Sequence, residues 1–413
     1  MTMNAGTMPM ERRAGALQGI LLVATGALLQ TMLITMVSPV LPGMMAAFSS
    51  HPNAEILTTL SITSPALSLA ILSPLAGTMV DRIGRRTPLL IGLLCYAAFG
   101  IIPYFVGDLI GILVSRLFLG AATAMVMTTS MTLLGDFFSG KEREHYLEIN
   151  AAFAAIFAIL TIATGGFLGS IGWNVPFICY AIAAVFFVLI LAFTWEPNHQ
   201  QATEQADEAG DFRWGPLLIL CLMVVCGGMV FISPLLFVGV LVSAAGQPSP
   251  STAGMIGAGC SLAVPLGAIS FQQLRARRFS VPSLVTLAFL IIGIGHMTIA
   301  LTQSLTGLIV GFAIQQYGSG YILAGMMIWV LSLLPHAQRG RGTGMYFTSF
   351  MIAQPIAGAA FAGLVKAVGG SPLVAMGGYG VLALAVAVIL ILVCAPRGAF
   401  KKDPEEQTAT PAG

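Results

Sequence analysis

The groups able to do chemistry in this chain are few. They are polar or ionisable side chains set inside long apolar runs: Gln30, Thr31 and Thr35 in one, Arg116 in a second, His296 in a third, and Gln315-Gln316-Tyr317-Gly318-Ser319-Gly320-Tyr321 in a fourth. Surrounded by apolar residues, such groups act through charge and hydrogen bonding. The patterns that make or break covalent bonds are absent. There is no Walker phosphate loop, no His-Glu-x-x-His, no Gly-x-Ser-x-Gly and no Cys-x-x-Cys. Cys95, Cys179, Cys221, Cys226, Cys260 and Cys394 all lie in apolar runs without other metal-ligand residues, and read as small packing residues. No enzyme activity, metal, cofactor or nucleic-acid partner is implied.

The elements that must position these groups follow from composition. Of 413 residues 57% are hydrophobic and 8% are charged, with mean hydropathy +0.92. A soluble domain carries about three times that charged fraction, so the chain reads as an integral all-α membrane protein. Helices of about 20 apolar residues give twelve spans, at 17–41, 56–80, 87–106, 109–134, 146–169, 174–195, 215–244, 252–274, 281–303, 305–334, 344–366 and 372–395. With both termini cytoplasmic, all but two of the 18 Lys and Arg fall on the cytoplasmic side. The exceptions are Arg116, inside the fourth span, and Lys366, near an outer end. Glu11, Arg12 and Arg13 followed by a run long enough to span argue against a cleavable signal.

Between the second and third spans lies Gly77-Thr-Met-Val-Asp81-Arg82-Ile-Gly84-Arg85-Arg86. Arginines at a helix end prefer the cytoplasmic side. Gly77 permits close helix contact and Gly84 a tight turn. Asp81 needs Arg82, Arg85 or a neighbouring helix end to neutralise it. The stretch resembles the signature loop of the major facilitator superfamily of secondary transporters, with every motif position matched. The resemblance implies a conformational latch made by Gly77, Asp81, Arg82, Gly84, Arg85 and Arg86. Arginines alone would serve as topology anchors; Asp81 and both glycines at these spacings favour the latch.

A repeat supports the same architecture. Val37-Ser38-Pro39-Val40-Leu41 recurs as Ile232-Ser233-Pro234-Leu235-Leu236; Gln273 to Arg278 stands where a second signature loop belongs; Arg341 mirrors Arg143. Two six-helix bundles are expected, at 1–195 and 214–396, with a flexible acidic linker at 196–213 and a polar tail at 397–413.

Arg116 lies eight residues after Asp108, about 12 Å deep at 1.5 Å per residue. An arginine there needs a cavity or a partner, and the cavity is the expectation. Arg116-Leu117-Phe118-Leu119-Gly120 resembles the fourth-helix motif of the drug–proton antiporter branch, where the arginine is implicated in coupling or substrate contact. Gln30 is at a similar depth, in a region where many such antiporters carry a carboxylate. Gln30, Thr31, Thr35, Arg116, Phe231, Gln315, Gln316, Tyr317 and Gln354 are the candidate substrate or coupling residues. The Gly318-Ser319-Gly320 group would either break the tenth helix or mark a close crossing. Two features depart from the antiporter pattern. The fifth span keeps Gly165-Gly166 but lacks the preceding Gly-Pro, and no Asp or Glu falls mid-helix. Glu148 and Asp136 are the nearest candidate proton sites. His296 reads as a packing residue with a local hydrogen bond.

These features imply a monomeric inner-membrane carrier that moves a small organic solute across the bilayer by alternating access. The leading expectation is proton-coupled efflux of an amphipathic or drug-like compound. Uptake or facilitated diffusion of a metabolite is the alternative. A non-transporting membrane sensor with this fold would not need the latch.

Overall fold

The computed structural model describes residues 14–197, 214–332 and 339–394, without the side chains of 80–82, 214, 216 and 339–341. The chain crosses back and forth as twelve helical segments, here α1 to α12. They are α1 (Ala16–Ala47), α2 (Ala54–Ile83), α3 (Arg86–Phe105), α4 (Leu109–Phe137), α5 (Gly140–Gly169) and α6 (Val175–Phe193). The second series is α7 (Trp214–Leu236, continued by Val238–Ala244), α8 (Pro250–Ala276), α9 (Val281–Thr302), α10 (Leu305–Ser332), α11 (Arg339–Ala367) and α12 (Pro372–Cys394). Eleven stretches are long and apolar enough to cross a membrane. The remaining one, α10, runs 28 residues without a charged side chain. The protein is a multi-pass membrane protein.

α6 opens as a tighter 3-10 stretch at Val175–Ala181 and α8 is interrupted at Leu262; α1 and α7 also differ from the sequence expectation, and proline explains both. α1 was expected to end at 41; it loosens at Met36–Val40 around Pro39 and then continues to Ala47. α7 was expected as one run; it is interrupted at Phe237, just after Pro234. Proline has no N–H to give its helix and crowds the preceding turn. Such breaks survive in membrane proteins where neighbouring groups satisfy the freed backbone.

Within each series the helices pack through small residues. A Cβ at Gly120 of α4 would collide with the Pro65 carbonyl of α2, and one at Gly311 of α10 would come within 2.5 Å of the Gly295 carbonyl of α9. Leu, Ile and Phe side chains such as Phe105, Ile71, Leu218, Ile219, Leu301 and Leu392 are left exposed. In hydrocarbon that exposure costs nothing, because lipid is as apolar as they are.

The two series meet at the end opposite the arginine-rich loops. There α5 lies on α8: a Cβ at Gly166 would sit 2.5 Å from the Pro250 carbonyl, and one at Gly254 would sit 2.7 Å from the Ile162 carbonyl. The start of α7's second piece lies on the α1 break, with Gly239 facing the Pro39 and Ser38 carbonyls at 2.6 and 2.8 Å. Gly358 of α11 faces Thr63 and Thr59 of α2. Toward the other ends of α2 and α11, a Cβ at Gly77 or Gly344 would meet nothing within 4 Å. Gly77, which permits a close helix contact, makes none among the described residues.

This seal is backbone against backbone, so a branched side chain has nowhere to go. Gly166→Val should force α5 and α8 apart. A single cysteine at Thr63, in a background without native cysteines, should then label at least about fivefold faster with an impermeant maleimide, since overpacking costs about 1–3 kcal/mol. Unchanged labelling with an unchanged melting temperature would show that the seal yields elsewhere.

Candidate functional site

α1 offers two faces to its neighbours. On one, Gln30 and Thr31 are half-buried, and Thr31 folds its hydroxyl back onto the Leu28 carbonyl at 2.9 Å. The Gln30 amide makes no hydrogen bond among the described residues. On the other face, Tyr96 of α3 donates its hydroxyl to the Leu29 carbonyl at 2.7 Å. Tyr180 of α6 donates to the Met32 carbonyl at 2.8 Å. Thr35, expected in the substrate group, is buried and hydrogen-bonded to Thr161 of α5 at 2.6 Å. It joins helices instead of lining a site.

Arg116 does not face a cavity shared with Gln30. It is 2% exposed and sits behind α1, in a box of aromatic rings. Its guanidinium carbon lies 4.4 Å from the Phe177 ring centre and 4.7 Å from that of Tyr180. Nη2 donates to the Gly100 carbonyl at 3.4 Å, and Nη1 is buried without a hydrogen-bond partner. Cation–π contacts of this desolvated kind are worth about 2 kcal/mol each, and they stand in for a carboxylate. The sequence signal was Phe177 and Tyr180, three apart on one helix face; nothing in it placed that face against α4.

In the second half the α7 break organises the polar residues. Pro234 cannot donate to the carbonyl four residues earlier, which is that of Val230. The Gln315 amide does so instead: Nε2 donates to Val230 O at 2.7 Å, to Phe231 O at 3.1 Å and to Ser319 Oγ at 3.0 Å. His296 holds the same place from α9. Its Nδ1 lies 3.0 Å from the Ile292 carbonyl, which can only accept, so Nδ1 carries the proton. In the neutral ring Nε2 then accepts from the Ser233 hydroxyl, 2.9 Å away. The packing role expected of His296 fits this geometry.

The α10 patch is therefore mostly structural. Gln315 and Gln316 are fully buried, and Gln316 Nε2 donates to Ser261 of α8 at 3.3 Å. Gly318-Ser319-Gly320 does not break the helix; Gly320 and Gly267 let α10 cross α8 closely. Tyr317 is half-buried and donates to Ser270 at 2.7 Å. Gln354 is buried, with Nε2 against the Met351 sulfur at 3.6 Å. Phe231 is half-buried, its ring 5.5 Å from that of Phe350. The candidates left part-exposed are thus Gln30, Thr31, Phe231 and Tyr317.

At the signature loop, Gly84 adopts φ +99°, the left-handed turn expected of it. The Arg85 and Arg86 N–H groups at the start of α3 donate to the two Glu196 oxygens at 2.5 and 2.8 Å. Arg85 Nε pairs with Asp136 at 2.9 Å, and Arg86 Nη2 donates to the Leu191 carbonyl at 2.5 Å. The loop so joins the ends of α3, α4 and α6. The side chains of Asp81 and Arg82 lie outside those described. Glu196, expected in a flexible linker, is a capping carboxylate for α3. Asp136, a candidate proton site, is paired with Arg85 one residue from the end of α4, and Glu148 is exposed two turns into α5.

Comparison with known proteins completes the picture. The family model described as Major Facilitator Superfamily matches residues 23–246. The chain belongs to the major facilitator superfamily. Its relatives include a probable vesicular acetylcholine transporter-B of Danio rerio, 28% identical over 45% of this chain and 39% of that protein. Multidrug resistance protein 2 of Bacillus subtilis is 30% identical over 40% of this chain and 42% of that protein. The chain spans less than half the length of these curated relatives. In fold it resembles a D-xylose–proton symporter, with TM-score 0.76 and 16% identity over 91% of this chain and 97% of the other.

Two predictions follow from the geometry. Gln315→Leu should destabilise the protein by about 1–3 kcal/mol, because it strands the Val230 carbonyl. In a Pro234→Ala background residue 234 regains the N–H that serves Val230, and the same substitution should cost less than half as much in a thermal double-mutant cycle. Gly84→Ala should lower stability by about 1–3 kcal/mol, since its Cβ would adopt a left-handed backbone and sit 2.6 Å from Glu196 Oε1. Adding Glu196→Gln should not rescue it, the side chain volume being retained.

Proposed function

We propose that this member of the major facilitator superfamily is a secondary transporter of the bacterial inner membrane that moves a small amphipathic solute by alternating access. The observation that carries the reading is the one-ended seal: α5 on α8 and α7 on α1 meet glycine to carbonyl at one end, while Gly77 and Gly344 stand open toward the other. If the arginine-rich loops are cytoplasmic, as the charge bias favours, both termini are cytoplasmic and this is an inward-open state. The two series of helices are the bodies that rock, and the chain acts as a monomer.

Efflux of a drug-like compound is the leading direction, supported by the likeness to the multidrug resistance protein. Proton coupling is the finer part of the reading. A second reading, uncoupled or facilitated movement, is favoured by a specific observation: Asp136 is ion-paired, Glu148 is exposed and the corresponding position in α1 is Gln30.

Proteoliposomes with a pH-sensitive dye inside separate the two. Under an imposed pH gradient, addition of a transported drug should trigger proton flux if efflux is coupled. Drug movement with no proton flux would establish the second reading. No movement of any compound across a broad panel would leave the fold serving a sensor.

A further inference from the structure

The buried, unpaired charge inside the spans has one sign. Between Asp211 and Asp403 the chain has no Asp or Glu, so α7 to α12 contain no carboxylate. In α1 to α6 every carboxylate but Glu148 stands at a helix end, and none among the described side chains is buried without a partner. Glu55 is in the first turn of α2, Asp81 near the last residue of α2, and Asp108 caps α4 by accepting from the Gly111 N–H at 2.8 Å. Asp136 is paired with Arg85, Glu142 and Glu144 are exposed at the start of α5, Glu148 is exposed two turns into α5, and Glu196 caps α3. The full charge inside a span is Arg116, buried with an unpartnered Nη1 and no anion beside it.

Arg116 lies close behind the candidate site. The Tyr180 ring that covers its guanidinium at 4.7 Å donates its hydroxyl to Met32, the residue after Thr31. From the solute face of α1 the charge is therefore one ring and one helix width away, on the order of 10 Å. In a low-dielectric surround that field is not screened as it is in water. The side chains with surface to offer, Gln30, Thr31, Phe231 and Tyr317, are all neutral.

A cation entering here would leave its hydration, meet no carboxylate and approach a buried positive charge. A neutral solute would exchange its hydration for the Gln30 amide and the Thr31 hydroxyl, and a weak acid would also gain from Arg116. We propose that the site selects against cations and takes an uncharged or weakly acidic amphipathic solute. Arg116 does this from behind α1, as a positioning and field-setting residue that touches no solute. The inference rests on the transport reading above and names its substrate class.

The test uses three fluorescent probes with one dansyl body and a terminal carboxamide, carboxylate or trimethylammonium. Their uptake into proteoliposomes is measured with the membrane potential clamped at zero. The carboxamide and carboxylate should move, and the ammonium should need at least about tenfold higher concentration for half-saturation. Gln30→Glu, which places a carboxylate on the solute face, should narrow that gap several-fold while leaving the melting temperature within a few degrees. An ammonium that moves as well as the carboxamide in the unmodified protein would overturn the charge selection and leave transport standing. A folded Gln30→Glu variant with the gap unchanged would overturn it too. Movement of none of the three would remove the transport reading, and the inference with it.

Discussion

Hydrocarbon will not hydrogen-bond a peptide group, and the rest of this structure answers to that fact. Each backbone carbonyl inside the membrane must find a donor within the protein. Where Pro234 withholds one from Val230, Gln315 reaches across from α10 to supply it. Ser233, beside the same proline, is held by His296 from α9. A break in one helix thereby fixes the rotation of two others. Residues that would read as a polar lining become the fasteners of a bent helix.

The two halves use different chemistry for equivalent places. In the first half the backbone of α1 is gripped from behind by two tyrosine hydroxyls, and the ring of one of them, Tyr180, covers a guanidinium. In the second half the backbone of α7 is gripped by a neutral amide. The proline positions repeat, Pro39 and Pro234, but the fasteners do not. A repeated scaffold with unlike fasteners can give each half its own stiffness.

Much of the fold was legible because membrane constraints act locally along the chain. Span length, loop arginines and the turn at Gly84 depend on neighbours in sequence, and the helices appear where those signals place them. The rotation of each helix is another matter. One residue is about 100° of turn, so Gln315 points to α7 while Gln316 and Tyr317 both reach α8, at Ser261 and Ser270. No pattern in a uniformly apolar helix tells which of these faces a solute. The direction of Arg116, toward aromatic rings and away from a shared cavity, was likewise hidden. Glu196 was missed because its partners, the Arg85 and Arg86 N–H groups, lie more than a hundred residues earlier.

The seal between the halves has a consequence for energetics across a polarised membrane. Its parts are glycines, carbonyls and threonine methyl groups, none of which carries formal charge. Parting them moves no elementary charge through the electric field, and work against that field is about 2.3 kcal/mol per charge per 100 mV. A carrier gated this way can reorient when empty at a rate that the membrane potential scarcely alters. Any voltage sensitivity in its cycle then belongs to Arg116, carried within α4, and to what the solute itself carries.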